Sequence, residues 1–160
     1  MTHQIDMKIG VISDTHDFLD PAIAKHFAGV DHILHAGDIG MPWILLELQF
    51  VAPVTAVAGN TDDPSLPYEQ TKTAELGGRK FLVHHIVEPR VLTDDLKARI
   101  AKEKPHVVVF GHTHTSFCET IGSVLFFNPG YAGRPKHNAK RSVAILHCDT
   151  QGIRPEFLTL

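Results

Sequence analysis

The sequence predicts an α+β fold with two mixed β-sheets. In the first 60 residues, apolar runs alternate with short helical segments, the pattern of parallel βαβ units. Beyond residue 70, apolar runs come in pairs around glycine-containing turns, which is typical of antiparallel hairpins. Because 160 residues with 43% hydrophobic content can build one core, we expect a single domain over 1–160.

The parallel part contains three predicted strands and two predicted helices. The strands are "MKIGVIS" at 7–13, "DHILHAG" at 31–37 and "PVTAVAG" at 53–59. The helices between them are "PAIAKHFAG" at 21–29 and "MPWILLELQF" at 41–50, each with a proline near its start. The second helix is mostly apolar, so we expect it to be well buried.

The later part of the chain predicts three hairpins and one further helix. The hairpins turn at Gly77-Gly78, Gly122-Ser123 and Gly152. The helix spans 93–104, with Thr93 as its N-cap and Pro105 as its stop. It leads into the strand of "HVVVFGHTHT" at 106–115.

Composition excludes several classes of protein. With 15 basic and 18 acidic residues the net charge is only −3, so we expect no binding to nucleic acid or to an anionic membrane surface. Cys118 and Cys148 lack the spacing of a disulfide framework and are expected to be free thiols. No secretion signal or spanning segment is evident, which predicts a soluble cytoplasmic protein.

Twelve histidines are more than a core of this size normally uses, and they suggest metal binding. Five apolar runs each end in residues that can bind a metal ion. These residues are Asp14 and His16, Asp38, Asn60, His84, and His112 with His114. Ligands of open α/β sheets bind beyond the carboxyl ends of the strands, so these termini could converge. Each residue alone could equally be a turn former or a hydrogen-bonded histidine.

The candidate ligands comprise four imidazoles, two carboxylates and one amide oxygen. This number exceeds the need of one tetrahedral zinc ion and suits two divalent ions about 3.5–4 Å apart that share a carboxylate. Manganese is the first choice, with iron, zinc, nickel or cobalt as alternatives. Two carboxylates leave a surplus of roughly two positive charges for an anion.

The ordered motifs Asp14-x-His16, Gly37-Asp38, Gly59-Asn60, His84 and Gly111-His112-Thr113-His114 resemble the signature of calcineurin-like metallophosphoesterases. The compact length, "GNTD" and "NPG" at 128–130 are most similar to the small bacterial and archaeal phosphodiesterase branch. The resemblance implies a four-layer αββα sandwich with a dinuclear metal site at one end.

The resemblance also implies roles for individual residues. One metal would be held by Asp14, His16 and His114, the other by Asn60, His84 and His112, with Asp38 bridging the two. A hydroxide between the ions would then attack phosphorus in line with the leaving oxygen. His35 and Asp62, close in sequence to these ligands, are candidates for holding the imidazole tautomers.

Two positions depart from the family pattern. Thr61 stands where many members carry a histidine that resembles a general acid, which disfavours monoesters with poor leaving groups. His85 stands where a glycine usually follows the fourth-motif histidine, and it is either an inert exposed residue or a replacement proton donor. The candidate catalytic residues are therefore Asp38, His85 and Asp62.

Loop residues near the motifs could contact the substrate. The basic candidates are Arg90, Arg134, Lys136 and His137, for which solvated surface charge is the alternative. Asn128 either approaches the site or caps the "NPG" turn.

We expect a metal-dependent phosphoesterase that acts on a small phosphate ester, with diesters favoured over monoesters. The alternative is a catalytically weak scaffold resembling the retromer scaffold subunit. The intact ligand set favours the enzyme, since a scaffold has no need of it. A homo-oligomer formed through exposed hairpin strands is also possible.

Overall fold

The computed structural model describes residues 6–160. The parallel part of this region contains β1 (Met7–Ile12), α1 (Ala22–His26), β2 (His32–His35), α2 (Trp43–Gln49) and β3 (Val54–Ala56). The first hairpin and the next helix and strand are β4 (Thr71–Leu76), β5 (Arg79–His84), α3 (Asp94–Glu103) and β6 (Val107–Val109). The last two hairpins are β7 (Phe117–Ile121) with β8 (Val124–Asn128) and β9 (Ser142–Asp149) with β10 (Gly152–Thr159). Every predicted element has a counterpart in this order.

The strands form two mixed sheets of five strands each. The order in the first sheet is β10-β9-β1-β2-β3, and in the second it is β4-β5-β6-β8-β7. In the first sheet the parallel strands β1, β2 and β3 reach one edge and the β9–β10 hairpin forms the other, whereas in the second sheet hairpin strands form both edges. The predicted α+β fold with two mixed sheets is confirmed.

Three apolar clusters define four layers. Ile9 and Val11 of β1 meet Phe81 and Val83 of β5 in the cluster between the two sheets. A second cluster packs α1 and α2 on the outer face of the first sheet, and a third packs α3 on the outer face of the second. Both central sheets are therefore covered on both faces, in the αββα order that the sequence resemblance implies.

Helix α2 differs from the prediction that it is well buried. Ile44 and Leu48 are buried against the first sheet, but the exposed fractions of Trp43, Leu46 and Phe50 are 41%, 59% and 85%. A two-turn helix can turn only one stripe of side chains towards a sheet, so the remaining apolar residues lie on the outer surface. Within residues 6–160, no helix has the length and apolar character to cross a membrane.

The carboxyl ends of β1, β2 and β6 lie at one end of the sandwich, where the chain turns sharply out of the sheets. Six non-glycine residues there adopt a left-handed backbone, with φ between 47° and 72°: Asp14, His16, Asp17, Asp38, His112 and His114. Such conformations are uncommon for non-glycine residues and concentrate at functional sites. All but Asp17 are candidate metal ligands.

Candidate metal centre

Two groups of three potential ligands form at this end of the sandwich. Asp14, His16 and His114 make up the first group. Asp38, His85 and His112 make up the second. Within each group the potential ligand atoms lie within 4.8 Å of one another. His112 and His114, two residues apart in sequence, lie in different groups, in the arrangement that the resemblance implies.

The first group is centred on a buried carboxylate. The Oδ1 atom of Asp14 lies 3.3 Å from His114 Nε2 and 3.7 Å from His16 Nε2. The two imidazole Nε2 atoms are 3.4 Å apart. The other oxygen, Oδ2, accepts hydrogen bonds from the Ser13 hydroxyl and the His112 backbone N–H. Oδ2 is thus fixed by the protein, while Oδ1 faces the two rings.

Asn60, a predicted ligand, lies beside the second group. Asn60 Oδ1 lies 3.0 Å from His85 Nε2 and 3.0 Å from His112 Nδ1. An amide oxygen between two imidazole nitrogens is a suitable ligand set for a borderline cation. Asn60 and His112 are exposed, whereas His85 is buried, so the second group lies at the surface of the cleft.

Asp38 lies between the two groups. Its Oδ2 is 3.2 Å from His85 Nε2 in the second group and 3.7 Å from His16 Nε2 in the first. Its Oδ1 accepts a hydrogen bond from the Thr61 backbone N–H at 2.9 Å. The carboxylate is therefore oriented with one oxygen facing both groups, the position that a bridging ligand needs.

The prediction that His84 belongs to this cluster is wrong. Its Nδ1 lies 2.8 Å from the Thr71 hydroxyl, and its ring borders a pocket with Leu96 and Arg99 on the α3 side of the second sheet. Successive side chains of a strand point to opposite faces, so β5 directs His84 away from the sheet interface. The next residue, His85, takes the position expected for His84.

His85 is buried rather than exposed, and both of its ring nitrogens face oxygen acceptors. Only 3% of the residue is exposed. Its Nδ1 lies 2.7 Å from the Ala36 carbonyl, which can only accept, so Nδ1 carries the proton and donates it there. Nε2 faces Asp38 Oδ2 and Asn60 Oδ1, which both accept, so it donates to them when the ring is protonated and offers its lone pair to a cation when the ring is neutral.

His35 and Asp62 were expected to hold ligand imidazoles, and neither contacts one. Asp62 accepts hydrogen bonds from the backbone N–H groups of Ile39, Gly40 and Gly59. It therefore ties the loop after β2 to the loop after β3, and its predicted catalytic role is not supported by its position.

The buried His35 fixes the loop after β1. Its Nδ1 accepts from the Gly37 N–H, and its Nε2 lies 3.0 Å from Thr15 Oγ1, which itself donates to the Ile39 carbonyl. His35 must therefore donate from Nε2, and it joins two ligand-bearing loops rather than orienting an imidazole.

The sequence did not single out three residues that lie beside the ligands. Ser13 binds Asp14 as described. The Tyr131 ring stacks on His114 at 4.6 Å between centroids, and its hydroxyl donates to the Arg134 carbonyl. Asp17, next to His16, accepts from the indole N–H of Trp43 at 2.7 Å. Only the position of Tyr131 directly after "NPG" could have drawn attention to it.

Asn128 fulfils both alternatives considered for it. Its Oδ1 accepts from the Gly130 N–H and caps the turn. Its amide group donates to the Gly111 carbonyl and the Thr113 hydroxyl, which holds the loop that carries His112 and His114.

Two glycines allow the ligand loops to approach one another. A Cβ on Gly59 would lie 2.1 Å from both the backbone nitrogen and Oδ1 of Asp38. A Cβ on Gly111 would lie 2.0 Å from Ser13 Oγ. Both distances are far below van der Waals contact, so any side chain there would displace a candidate ligand.

The site stabilises charged carboxylates. Burial alone would raise the pKa values of Asp14 and Asp38, but hydrogen bonding outweighs it and holds both below the usual range. The main favourable partners are His16 for Asp14 and His85 for Asp38. The nearby Asp14 carboxylate raises the pKa of His16.

The pKa values of His85 and His114 shift in opposite directions. Burial would lower the pKa of His85, but hydrogen bonds to Asp38 and the Ala36 carbonyl raise it overall. Burial lowers the pKa of His114, which favours the neutral ring that binds metal.

One buried oxygen tests whether a cation fits here. Asp14 Oδ1 is shielded from solvent and accepts no hydrogen bond within residues 6–160. Leaving a buried carboxylate oxygen unsatisfied is costly, whereas a cation between it and the imidazoles of His16 and His114 would satisfy it. The residues present therefore fit a metal ion.

The four basic candidates for substrate contacts occupy different places. Arg90 pairs with Glu119, and the Arg134 guanidinium lies 5.0 Å from the centroid of the Phe18 ring. The Lys136 ammonium lies 4.5 Å from the centroid of Tyr131, the ring that stacks on His114. His137 is exposed on the same loop.

The sequence is similar to known metallophosphoesterases over most of its length. A probable metallophosphoesterase of Methanothermobacter thermautotrophicus is 34% identical over 159 residues, covering 95% of this chain and 92% of that protein. A phosphodiesterase of Methanocaldococcus jannaschii is 29% identical over 143 residues, covering 78% of this chain and 83% of that protein.

Solved structures share the fold. That of an archaeal phosphodiesterase matches with a TM-score of 0.75 at 26% identity, covering 96% of this chain and all of that one. Vps29 of Chaetomium thermophilum matches with a TM-score of 0.73 at 16% identity, covering 96% and 97% of the two chains, which shows the fold alone. Residues 7–151 match the calcineurin-like phosphoesterase superfamily domain. Taken with the site geometry, these matches establish that the chain belongs to the calcineurin-like phosphoesterase superfamily.

Proposed function

We propose that the protein hydrolyses small phosphate diesters at a centre of two divalent metal ions. The observation that carries the proposal is the position of Asp38 Oδ2, which faces an imidazole Nε2 from each group of ligands. A carboxylate oxygen shared by two ligand groups is the central feature of a two-metal site.

The ligand groups assign residues to each ion. Asp14, His16 and His114 would hold the first, Asn60, His85 and His112 the second, and Asp38 both. When bound, the ions supply water activated for attack on phosphorus and stabilise the charge that develops on the phosphoryl oxygens. Manganese remains our first choice, because the mixed imidazole, carboxylate and amide set suits a borderline to hard cation.

The surroundings of the second group favour diesters over monoesters with poor leaving groups. The side chain at position 61 is a threonine hydroxyl, which does not titrate near neutral pH. The other nearby imidazole, His85, is engaged through both of its nitrogens. Neither Thr61 nor His85 is therefore free to protonate a leaving alkoxide, so substrates with acidic leaving groups should react best. The names of the relatives support a diester substrate.

The space beside the second group suits a small organic substituent. A cleft of about 240 Å³ opens next to Asn60 and is bordered by Asp62, Leu66 and Tyr68. A volume of this size is slightly below the usual range of small-molecule sites. We infer that one ester group of the substrate binds there.

The test is hydrolysis of bis(4-nitrophenyl) phosphate with and without Mn²⁺. Asp38→Asn should lower kcat/KM by about 1000-fold, because it weakens the ligand shared by both ions. The adjacent histidines give a matched pair: His85→Ala should lose about 100-fold, whereas His84→Ala, which faces α3, should retain the parent activity. Equal losses in the two histidine variants would contradict the ligand assignment.

The alternative is a protein-interaction scaffold with weak or no catalysis. The exposed apolar residues of α2, Trp43, Leu46 and Phe50, and the fold shared with Vps29 favour it. Absence of turnover with Mn²⁺, Ni²⁺, Co²⁺ and Zn²⁺ would support the scaffold. We favour the enzyme because a scaffold has no need of two complete ligand groups.

We also infer that residues 1–160 act as one domain in the cytoplasm. The free thiols of Cys118 and Cys148 fit a reducing compartment. The net charge of −3 is unfavourable for nucleic acid binding. Pairing of two copies through the edge strands of the hairpins remains a prediction, which the oligomeric state in solution would test.

A further inference from the structure

The loop 131–139 is anchored directly to the metal centre. At its start, the Ala132 N–H donates to the Ser13 carbonyl, and the Tyr131 carbonyl accepts from the Ser142 N–H. Tyr131 itself is 2% exposed and stacks on His114. The beginning of the loop is thus fixed against one ligand of the first group.

Lys136 is the charged side chain that this loop brings to the rim. Its ammonium lies 4.5 Å from the Tyr131 ring centroid, and that ring is 4.6 Å from the His114 ring. The ammonium is therefore no farther from His114 than the sum of these two lengths. Burial lowers the pKa of His114 most. The positive charge of Lys136 also lowers it.

The other cations around the site already have partners. Arg90 is paired with Glu119, and Arg141 with Asp20. The Arg134 guanidinium lies over the Phe18 ring. Lys136 is exposed and forms no ion pair with a carboxylate within residues 6–160. Its charge remains available to a ligand.

We propose that Lys136 selects phosphate esters that carry a second anionic group, a phosphate or a carboxylate, close to the scissile phosphorus. The inference rests on the proposed function, because it takes the two ligand groups as the place where the scissile phosphate binds. The ions would neutralise that phosphate, and Lys136 would add one positive charge at the rim.

Lys136 lies to one side of the two ligand groups, which indicates that it contacts a second anionic group of the substrate rather than the scissile phosphate. The ammonium approaches over Tyr131, which lies beside His114 and is not among the candidate ligands. A phosphate held by both groups would lie close to Asp38, between them. An anionic substituent a few bonds away could extend along Tyr131 and meet the ammonium in a charge-assisted hydrogen bond.

The test compares two diesters with the same leaving group: 4-nitrophenyl phenyl phosphate and its analogue with a carboxylate at the 3-position of the phenyl ring. In the Mn²⁺-loaded parent, kcat/KM should be higher for the carboxylated ester. Lys136→Met should lower the ratio of the two kcat/KM values about fivefold, and Lys136→Arg should largely restore it. Lys140→Met is the matched control, since Lys140 borders a different groove with Ser116 and Leu160.

A binding measurement separates this inference from the proposed function. Calorimetric titration of the Mn²⁺-loaded protein with phenyl phosphate and 3-carboxyphenyl phosphate needs no turnover. Loss of the affinity difference in Lys136→Met would support the role of Lys136 even if neither diester were hydrolysed, a result that would overturn only the proposed function. If the parent hydrolyses both diesters and the ratio of their kcat/KM values is the same in Lys136→Met as in Lys140→Met, the role of Lys136 is overturned. The proposed function would stand in that case.

Discussion

The two ends of the sandwich are built from different backbone geometry. At the metal end, the chain turns at non-glycine residues in the left-handed conformation, Asp14, Asp38 and His112 among them. At the opposite end, the three hairpins turn through glycines, with positive φ at Gly77, Gly78, Gly122 and Gly152. Positive φ at non-glycine residues is therefore concentrated at the metal end, although Gly37 and Gly40 share it there, whereas the hairpin turns use glycine and Lys104 is the non-glycine case at the opposite end.

The difference indicates where the protein tolerates strain. A non-glycine residue in the left-handed region costs roughly 1 kcal/mol, so the metal end is intrinsically less stable than the hairpin end. Buried side chains compensate for it: Asp62 and His35 connect the loops that carry the ligands. We expect substitutions at the two ends to differ accordingly.

The largest expected effect comes from Gly59→Ala at the metal end. A methyl group there would overlap Asp38, so the free energy of unfolding should fall by about 3 kcal/mol and Mn²⁺-dependent activity should be lost. Gly122→Ala is the control at the hairpin end, where a Cβ meets no atom within 4 Å and only the positive φ costs about 1 kcal/mol. Denaturant unfolding measures both. Equal destabilisation would contradict the proposed difference between the ends.

Asp62→Asn should destabilise the protein by about 2 kcal/mol. An amide cannot accept the three backbone N–H groups as strongly as the carboxylate does, and it turns a donor towards one of them. Because the loops after β2 and β3 carry Asp38 and Asn60, the affinity for Mn²⁺ should fall as well. Calorimetric titration of the metal measures it. An unchanged metal affinity with reduced stability would show that Asp62 serves the fold only.

Acid should destabilise the protein through His35. Burial lowers the pKa of His35 to about 3, and its Nδ1 already accepts a backbone N–H. Between pH 6.5 and about 3 the unfolded chain binds a proton that the folded protein does not, so stability falls as the pH falls. Relative to His35→Gln, the parent should lose about 1.4 kcal/mol more per pH unit between pH 6 and 4. Parallel curves of unfolding free energy against pH would refute this origin.

The smallest effect tests the backbone strain itself. His112→Gly and His112→Ala both remove the imidazole, but only glycine relieves the positive φ of 72°. Without metal, the glycine variant should be about 1 kcal/mol more stable than the alanine variant, and both should have lost activity. The same pair of substitutions at Thr113, whose φ is not positive, should show the reverse order.

The sequence predicted the order of the elements because periodicity and turn residues are local signals. Thr93 caps α3 as expected, with its hydroxyl accepting from the Leu96 N–H. The sequence also indicated that the ligand-bearing strand ends converge, since parallel strands bring their carboxyl ends together. The candidate ligands that follow a glycine, Asp38, Asn60 and His112, do lie together at this end.

The choice between His84 and His85 could not be made from the sequence. Phe81, Leu82 and Val83 are all fully buried, because β5 has a covered face on each side. No alternation of polar and apolar residues therefore reveals which side chains face the other sheet. The stacking of Tyr131 on His114 was likewise inaccessible, since it depends on how a loop folds back across the site.

The single tryptophan of the chain gives the metal centre an optical signal of its own. Trp43 donates its indole N–H to the carboxylate of Asp17, whose neighbour His16 belongs to the first ligand group. A cation that draws His16 towards Asp14 would alter this hydrogen bond and with it the emission of the indole. Occupancy of the first group could then be followed by intrinsic fluorescence, in unmodified protein and without any substrate.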